Sequence, residues 1–429
     1  MRISRRTFAA AAVALVLPLS ACGSGGDDGG STDASGKVEG DITFQTWNLR
    51  ANFKPYFEGL IADFEKKYPG TQVKWIDQPA EGYADKISAD AAGGTLPDVV
   101  NVSPDLVAPL AEAGLALDLD KAAAKYKSEY LDGAWASHQV PGLSGTYAFP
   151  WYLNTGPLFY NKSLFKKAGL DPSTPPKTYD ELFADALQLA KKSDGKVATL
   201  ANVPTIEDFG RYGVQLMNKE GTGFAFNDAK GLELLTKYKE LYDAEALDPQ
   251  ALTATPESSG KKFLTEAVAM NPGSALDLGN FKKQAPNLYK NIGITDQITS
   301  TGHVNMYVMG VMVNSRTKHT PAAVAFAHFV TDARDQMSFA KKVAIFPSTA
   351  GSLDDPYFTK EDGTDETRVR IAAAQSLKNA VNYTPVLFSE QMKTALRNEV
   401  AKALQGKESP KTALDNAVKA CDQLLKQQG

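Results

Sequence analysis

Apolar and polar positions alternate with two periods from Ile42 onward. Ile42 to Trp47 is a short β-branched and aromatic run that reads as a strand. Pro55 to Tyr68 places Phe57, Leu60, Ile61, Phe64 and Tyr68 on one helical face, and Thr71 to Ile76 reads as a second strand. Glu81 to Ala92 is expected to be a helix, Val99 to Val102 a third strand, and Pro104 to Ala113 a third helix ended by Gly114. Strands alternating with helices predict a largely parallel sheet with covered faces, an α/β fold. In open α/β sheets ligands sit beyond the carboxyl ends of the strands. Trp47 and Asn48, the turn Gln78 to Glu81, and Ser103 to Asp105 should therefore converge on one rim.

The middle of the chain breaks this rhythm. Thr146 to Leu170, TYAFPWYLNTGPLFYNKSLFKKAGL, predicts a strand interrupted at Pro150, a second strand, and a short helix from Asn161 to Gly169. Phe149, Trp151, Tyr152, Phe159 and Tyr160 are more rings than one buried strand needs, and Asn154 and Thr155 sit polar among them. A segment of this kind can cross between two lobes and present rings to a ligand on the way.

Beyond it, Thr178-Tyr179-Asp180-Glu181 is a capping box for a helix burying Leu182, Phe183, Ala186 and Ala190. Val197 to Ala201 reads as a strand, followed by a loop NVPTIEDFGRYG; Gly231 to Tyr242 is helical, and Phe263 to Met270 runs from helix into strand. Val304 to Val313 is strand-like, Thr320 and Pro321 open a helix burying Ala325, Phe326, Phe329 and Val330, and the C-terminal part is helical.

The first 21 residues read as an address. Arg2, Arg5 and Arg6 precede the apolar run FAAAAVALVLPLSA, which is shorter than the roughly 20 residues of a spanning helix. Leu19-Ser20-Ala21-Cys22 has the form of a lipobox, making Cys22 the expected lipidation site, and Ser4-Arg5-Arg6-Thr7-Phe8 is similar to a twin-arginine signal, with ordinary Sec export the alternative. Gly23 to Gly40, rich in Gly, Ser and Asp, is expected to be a flexible tether. The chain holds 46 basic and 50 acidic residues. Three of the basic ones lie in the leader, so the exported part carries a net charge of about −7. This argues against nucleic acid and anionic membrane surfaces as partners. With Cys22 lipidated, Cys421 is left alone, and its spacing with Leu414, Ala417 and Leu424 places it in a helix core.

FPWYLNTGPLFYNKSLFKKAGL followed by PPKTYDEL resembles the central signature of the family 1 extracellular solute-binding proteins of ABC importers, the group that includes the maltose-binding proteins. GGTLPDVVNVSPDLVAPLAEAGLALDLD before it, and FLTEAVAMNPGS, MYVMGVMVNSRTKHTPAAVAFAHFVTDARDQMSFA and IFPS after it, resemble further family blocks in the family's order. The resemblance implies a two-lobed periplasmic-binding-protein fold: two mostly parallel sheets flanked by helices and joined by a hinge of three crossings, the third at Ile345 to Ser348. Residues 41–150 with 308–346 would form lobe 1, and residues 151–307 with 347–429 lobe 2. It further implies capture of a sugar or short oligosaccharide, transmembrane permease subunits as partners, a monomer held outside the membrane by lipid alone, and no enzyme activity, cofactor or metal.

Sugars present hydroxyls around the ring edge and C–H groups on the faces, so a carbohydrate site wants aromatic planes and amide or carboxylate acceptors. Trp47, Trp151, Tyr152 and Tyr307 offer planes; Asn48, Glu81, Asp105 and Asn154 offer acceptors. By the resemblance Asp105 falls where sugar-binding members place a ligand carboxylate, and Asn154 where maltose-binding members carry a glutamate, a departure that speaks against maltose itself. Trp151 and Tyr152 should point to opposite faces of their strand, so one of them is expected to meet ligand. Trp75 and Trp135 read as core, and Asp98 as a partner of loop amides. Seven arginines follow the leader, and Arg50 and Arg211 stand where they could meet a phosphate, which keeps a phosphorylated polyol such as glycerol phosphate as the alternative ligand. A glycan hydrolase is the alternative of another class, since two carboxylates suffice for it. Gly142-Leu143-Ser144-Gly145 lacks the second spacer of a nucleophile elbow. His138, His303, His319 and His328 form no zinc motif, and there is no phosphate-binding loop with its lysine.

Overall fold

The protein is described by a computed structural model covering residues 34–428 apart from 254 and 255. The leader and Cys22 lie outside the described residues. The expected tether ends earlier than its composition suggests, because Ala34 and Val38 already pack against the core of the first lobe.

That lobe is built on a six-stranded sheet in the order β2-β1-β3-β8-β4-β9. The strands are β1 (Gly40–Trp47), β2 (Thr71–Gln78), β3 (Val99–Val102), β4 (Phe149–Asn154), β8 (Tyr307–Val313) and β9 (Phe346–Pro347). β1 pairs parallel with β2 and β3, whereas β8, β4 and β9 join antiparallel. The sheet is therefore mixed rather than mostly parallel: chain that crosses between lobes must run back against the strands it rejoins. The second lobe is mainly helical around a small antiparallel sheet of β5 (Leu158–Asn161), β6 (Met270–Pro272) and β7 (Ile292–Thr295), so its sheet is not parallel either. Val197 to Ala201 makes only single bridges, from Ala198 to Val268 and from Leu200 to Leu247.

Local chemistry explains the elements of the first lobe. α1 (Arg50–Lys67) begins before Pro55, bends at Phe53 because Pro55 has no N–H to give the preceding turn, and buries Phe57, Leu60 and Phe64. Its amino end is held by Asp77, whose carboxylate accepts from the backbone N–H groups of Leu49 and Arg50 at 3.0 Å each. α2 (Tyr83–Gly93) and α3 (Pro104–Glu112) cover the opposite sheet face. Phe44, Phe57, Phe64, Phe149, Trp151 and Phe326 fill the core on the α1 side.

The second lobe has its own core, in which Tyr179, Leu182, Phe209, Phe226, Tyr238 and Cys421 are buried. The Thr178 capping box forms as expected, and burial pushes the Cys421 thiol up to about 12, as befits a packing residue.

The chain leaves β4 at Asn154, not at Pro150, which stays within the strand and opens a register shift there. The passage to β5 is pinned by a polar knot. Thr155 Oγ1 donates to the Asn305 carbonyl at 2.9 Å, Gln297 Nε2 donates to Thr155 Oγ1 at 2.8 Å and to the Asn305 carbonyl at 3.0 Å, and Gln297 Oε1 accepts from the Asn305 N–H at 3.0 Å. Asn305 is buried, so its backbone groups need these partners. Phe346 and Pro347 pair with β4 as an edge strand of the larger sheet. A later stretch, residues 381–388, instead runs beside the second crossing: Met306 N–H donates to the Val381 carbonyl and Tyr383 N–H to Asn305 Oδ1, both at 3.0 Å.

Candidate functional site

The strand register decides which side chains share an edge. With β1, β2 and β3 parallel, β8 antiparallel to β3, and β4 antiparallel to β8, the carboxyl ends of β1 to β4 meet the amino end of β8 at one side of the sheet. Six of the eight residues expected to contact ligand reach that rim. Asn48, Glu81, Asp105, Asn154 and Tyr307 are exposed there, and Trp47 is half-buried. Asn48 takes a left-handed backbone (φ 53) in the turn from β1 to α1, and its N–H donates to the Gln78 carbonyl at 2.8 Å. The Trp47 indole stacks on Tyr83 at 5.3 Å and 12°, so one face is already covered.

Trp151 does not belong to the rim. The register shift between Pro150 and Tyr152 is a β-bulge, which turns Trp151 and Tyr152 to the same side instead of opposite ones. The Trp151 ring has no exposed surface, lies parallel to Phe339 at 5.8 Å and meets Phe57 edge-on at 5.9 Å. Tyr152 leans on the same cluster, 5.1 Å from Trp151 and 6.2 Å from Phe339, and burial pushes its hydroxyl up to about 12. Both rings serve the first-lobe core. Trp135 is core as expected; Trp75 is half-buried at the sheet edge, its Nε1 donating to Thr46 Oγ1 at 2.7 Å. Asp98 is a structural acceptor, though not of loop amides as expected: it accepts from the N–H and hydroxyl of Thr43 on β1 and from the Thr317 hydroxyl.

Tyr307 is the ring the rim presents. It is 55% exposed and stands directly across from Asn154 on the neighbouring strand. Its hydroxyl is pushed well up by the partial desolvation of its surroundings and then by the carboxylate of Glu207, with Arg211 opposing and Asp208 adding. All three charged groups sit on the Ile206–Tyr212 helix of the second lobe, which reaches the hinge through Gly210 against Tyr383, whose N–H donates to Asn305 Oδ1 two residues before Tyr307. By its sequence this stretch is expected to be a loop. The missed signal is the capping box Thr205-Ile206-Glu207-Asp208, in which Asp208 Oδ2 accepts from Thr205 N–H at 2.8 Å and Thr205 Oγ1 at 2.9 Å. Glu207 is buried to 9% exposure, and its Oε1 accepts from Thr384 Oγ1 at 2.6 Å.

Residues 383–388 form a strap between the lobes that sequence reasoning did not single out. The Tyr383 ring lies so close to Gly210 that a Cβ there would come within 2.4 Å of it, which is why that helix carries a glycine. The Tyr383 hydroxyl shares a 2.6 Å hydrogen bond with Thr301 Oγ1. Three residues on, Val386 and Leu387 pack against the first-lobe cluster of Tyr83 and Val107, alongside Trp47 and Leu106. Phe388 returns to the second-lobe core against Phe224 at 5.3 Å. The loops also meet at Gly221, where a Cβ would lie 2.3 Å from Pro141.

The two arginines considered for a phosphate are both committed. Arg50 lies over the Trp75 ring at 4.2 Å and donates from Nη2 to the Trp75 carbonyl at 2.7 Å. Arg211 pairs through Nη2 with Asp208 Oδ1 at 2.5 Å and donates from Nη1 to the Ile298 carbonyl at 3.1 Å. Tyr179 holds the same Asp208 oxygen at 2.8 Å. A separate pocket of about 310 Å³ opens at the opposite end of the sheet, lined among others by Asp41, Asp98, Asn314 and His319. It faces away from the rim and the hinge.

Two lobes, a polar hinge and a rim of amides, carboxylates and one free ring make a receptor cleft. The family model described as bacterial extracellular solute-binding protein matches residues 50–337. The chain belongs to this family. Among curated proteins, the sn-glycerol-3-phosphate-binding periplasmic protein UgpB of Brucella melitensis is 27% identical over 391 residues, covering 86% of this chain and 83% of that one. Among solved structures, the sugar-binding protein MalE from Xanthomonas citri superposes with a TM-score of 0.73 at 19% identity, covering 90% of this chain and 98% of that one. The GacH receptor of Streptomyces glaucescens, solved unliganded and with acarbose, gives 0.65 at 24%, covering 91% and 99%. These likenesses establish the two-lobed fold. Family membership places the protein outside the cytoplasm as a solute-binding component of ABC import, and among the described residues no helix is long and apolar enough to cross a membrane.

Proposed function

We propose that this solute-binding protein captures a sugar or short oligosaccharide between its lobes and hands it to a membrane permease, without chemical change, while held to the outer face of the cell membrane by lipid on Cys22. The observation that carries the reading is the pairing of the exposed Tyr307 ring with the Asn154 amide on the hinge strands. A ring face and flanking hydrogen-bonding groups suit the C–H face and hydroxyl edge of a pyranose. Ligand touching both lobes favours the closed form by its differential affinity, and a permease can read that shape. The MalE and GacH likenesses, with their named sugar and acarbose ligands, support the same class. Lobes dividing near Asn154 and Tyr307, a single-chain receptor and anchorage by the lipobox cysteine fit this use.

The test is thermal melting of the chain from Ala34 onward against mono- and oligosaccharides, polyol phosphates and amino acids. Ligand at a hundredfold over its dissociation constant stabilises by about 2.7 kcal/mol. A rise with one sugar class supports the assignment. Stabilisation by amino acids alone would remove it, and release of reducing sugar from any glycan would point to the hydrolase.

A further inference from the structure

Which sugars the cleft accepts is governed by charge. Resting on the carbohydrate reading, we infer that the cleft excludes anions and takes neutral or amino sugars rather than phosphorylated ones. The ionisable groups expected at its rim are acidic: Glu81 and Asp105 are exposed on the first lobe, and Glu207 of the second is held by Thr384, whose neighbour Tyr383 bonds to Asn305 in the segment leading to Tyr307. Asn154, exposed at the end of β4 directly across from Tyr307, is a neutral amide.

The two arginines considered for a phosphate are engaged by other groups. Arg50 is folded back onto Trp75, stacking at 4.2 Å and donating to that residue's carbonyl. Arg211 has only 16% of its side chain exposed, and Asp208 at 2.5 Å cancels its charge. Its Nη1 and Nη2 are both taken, by the Ile298 carbonyl and by Asp208, and these two bonds hold the guanidinium against its own lobe. A phosphate seated at Tyr307 therefore enters the field of the Glu207 carboxylate and of an ion pair already neutralised, which costs affinity with no charge-assisted hydrogen bond in return. The protonated amine of an amino sugar meets the same carboxylates favourably.

The experiment is calorimetric titration with matched ligands: the sugar identified by melting, its phosphate ester and its amino analogue, with sn-glycerol 3-phosphate beside glycerol. Phosphorylation is expected to weaken binding at least a hundredfold, while the amino sugar binds within threefold of the parent or tighter. In Glu207→Gln the phosphate penalty should shrink about tenfold relative to the parent sugar. A phosphate ester binding as tightly as its parent overturns the inference and leaves the carbohydrate reading standing. Binding of sn-glycerol 3-phosphate with silence toward every neutral sugar overturns both.

Discussion

Asn154 and Tyr307 face each other across antiparallel strands at the point where the chain first leaves one lobe and later returns to it. Side chains directly opposite in such a pair lie roughly 5 Å apart at Cβ. An amide and a phenol ring are thereby presented together on strands that the polar knot at Asn305 holds still. Replacing the ring should remove contact surface without touching a core. Tyr307→Ala is expected to weaken sugar binding at least tenfold, about 1.4 kcal/mol, with an unfolding free energy within about 1 kcal/mol of wild type.

Trp151 predicts the opposite pattern. Its ring is enclosed by Phe57 and Phe339, and truncation leaves a large cavity. Trp151→Ala should cost roughly 3–5 kcal/mol in urea unfolding, while the folded fraction keeps its affinity. A tenfold loss of affinity with unchanged stability would return this ring to the binding site.

The contrast between these two residues shows how far the sequence could be read. Strand and helix placement in the first lobe follows from period and punctuation, and β3 (Val99–Val102) matches its expected bounds. Strand order puts Asn48, Glu81 and Asp105 on the rim, while Asn154 and Tyr307 were legible only as residues of the expected crossings. Trp151 follows Phe149 onto the core side by plain alternation, whereas Tyr152 joins it there through a one-residue bulge that leaves no mark in composition. The strap at residues 383–388 was hidden for another reason: Val386 and Leu387 lack periodic company, and their apolar partners come from α2 and α3 nearly 300 positions earlier.

That strap should act on closure. Val386 and Leu387 belong to the C-terminal part yet pack, half-buried, against the first-lobe cluster that includes Tyr83 and Val107. In the double variant Val386→Ser and Leu387→Ser the closed form loses an apolar contact, and the ligand-free protein is expected to show a larger radius of gyration by small-angle scattering. Affinity for every ligand should fall by one common factor, the reduction in the closure-competent fraction. Ligand-dependent changes would instead make the strap a direct contact.

His138 gives the fold a pH dependence. It is fully buried against Gly310 of β8, where a Cβ would lie 2.5 Å from Nε2, and neither ring nitrogen has a well-formed partner, the backbone at Met309 offering only a partial one. Burial lowers its pKa from 6.5 to about 3. The unfolded chain therefore binds a proton below pH 6.5 that the folded protein refuses, and stability drains away as pH falls from 6.5 toward 3. The contribution approaches ~1.4 kcal/mol per pH unit. His138→Leu should flatten the stability profile between pH 6.5 and 5, measured by urea midpoints; an unchanged slope would mean that the imidazole is protonated in place.

The most direct test of the central claim is a crystal structure of the chain from Ala34 onward with the sugar selected by melting. The sugar is expected between the lobes, one ring face on Tyr307 and hydroxyls within hydrogen-bond reach of Asn154 and Glu207. A sugar bound elsewhere, for instance at the Asp98 end of the sheet, or lying in the cleft without touching Tyr307 and Asn154, would contradict it.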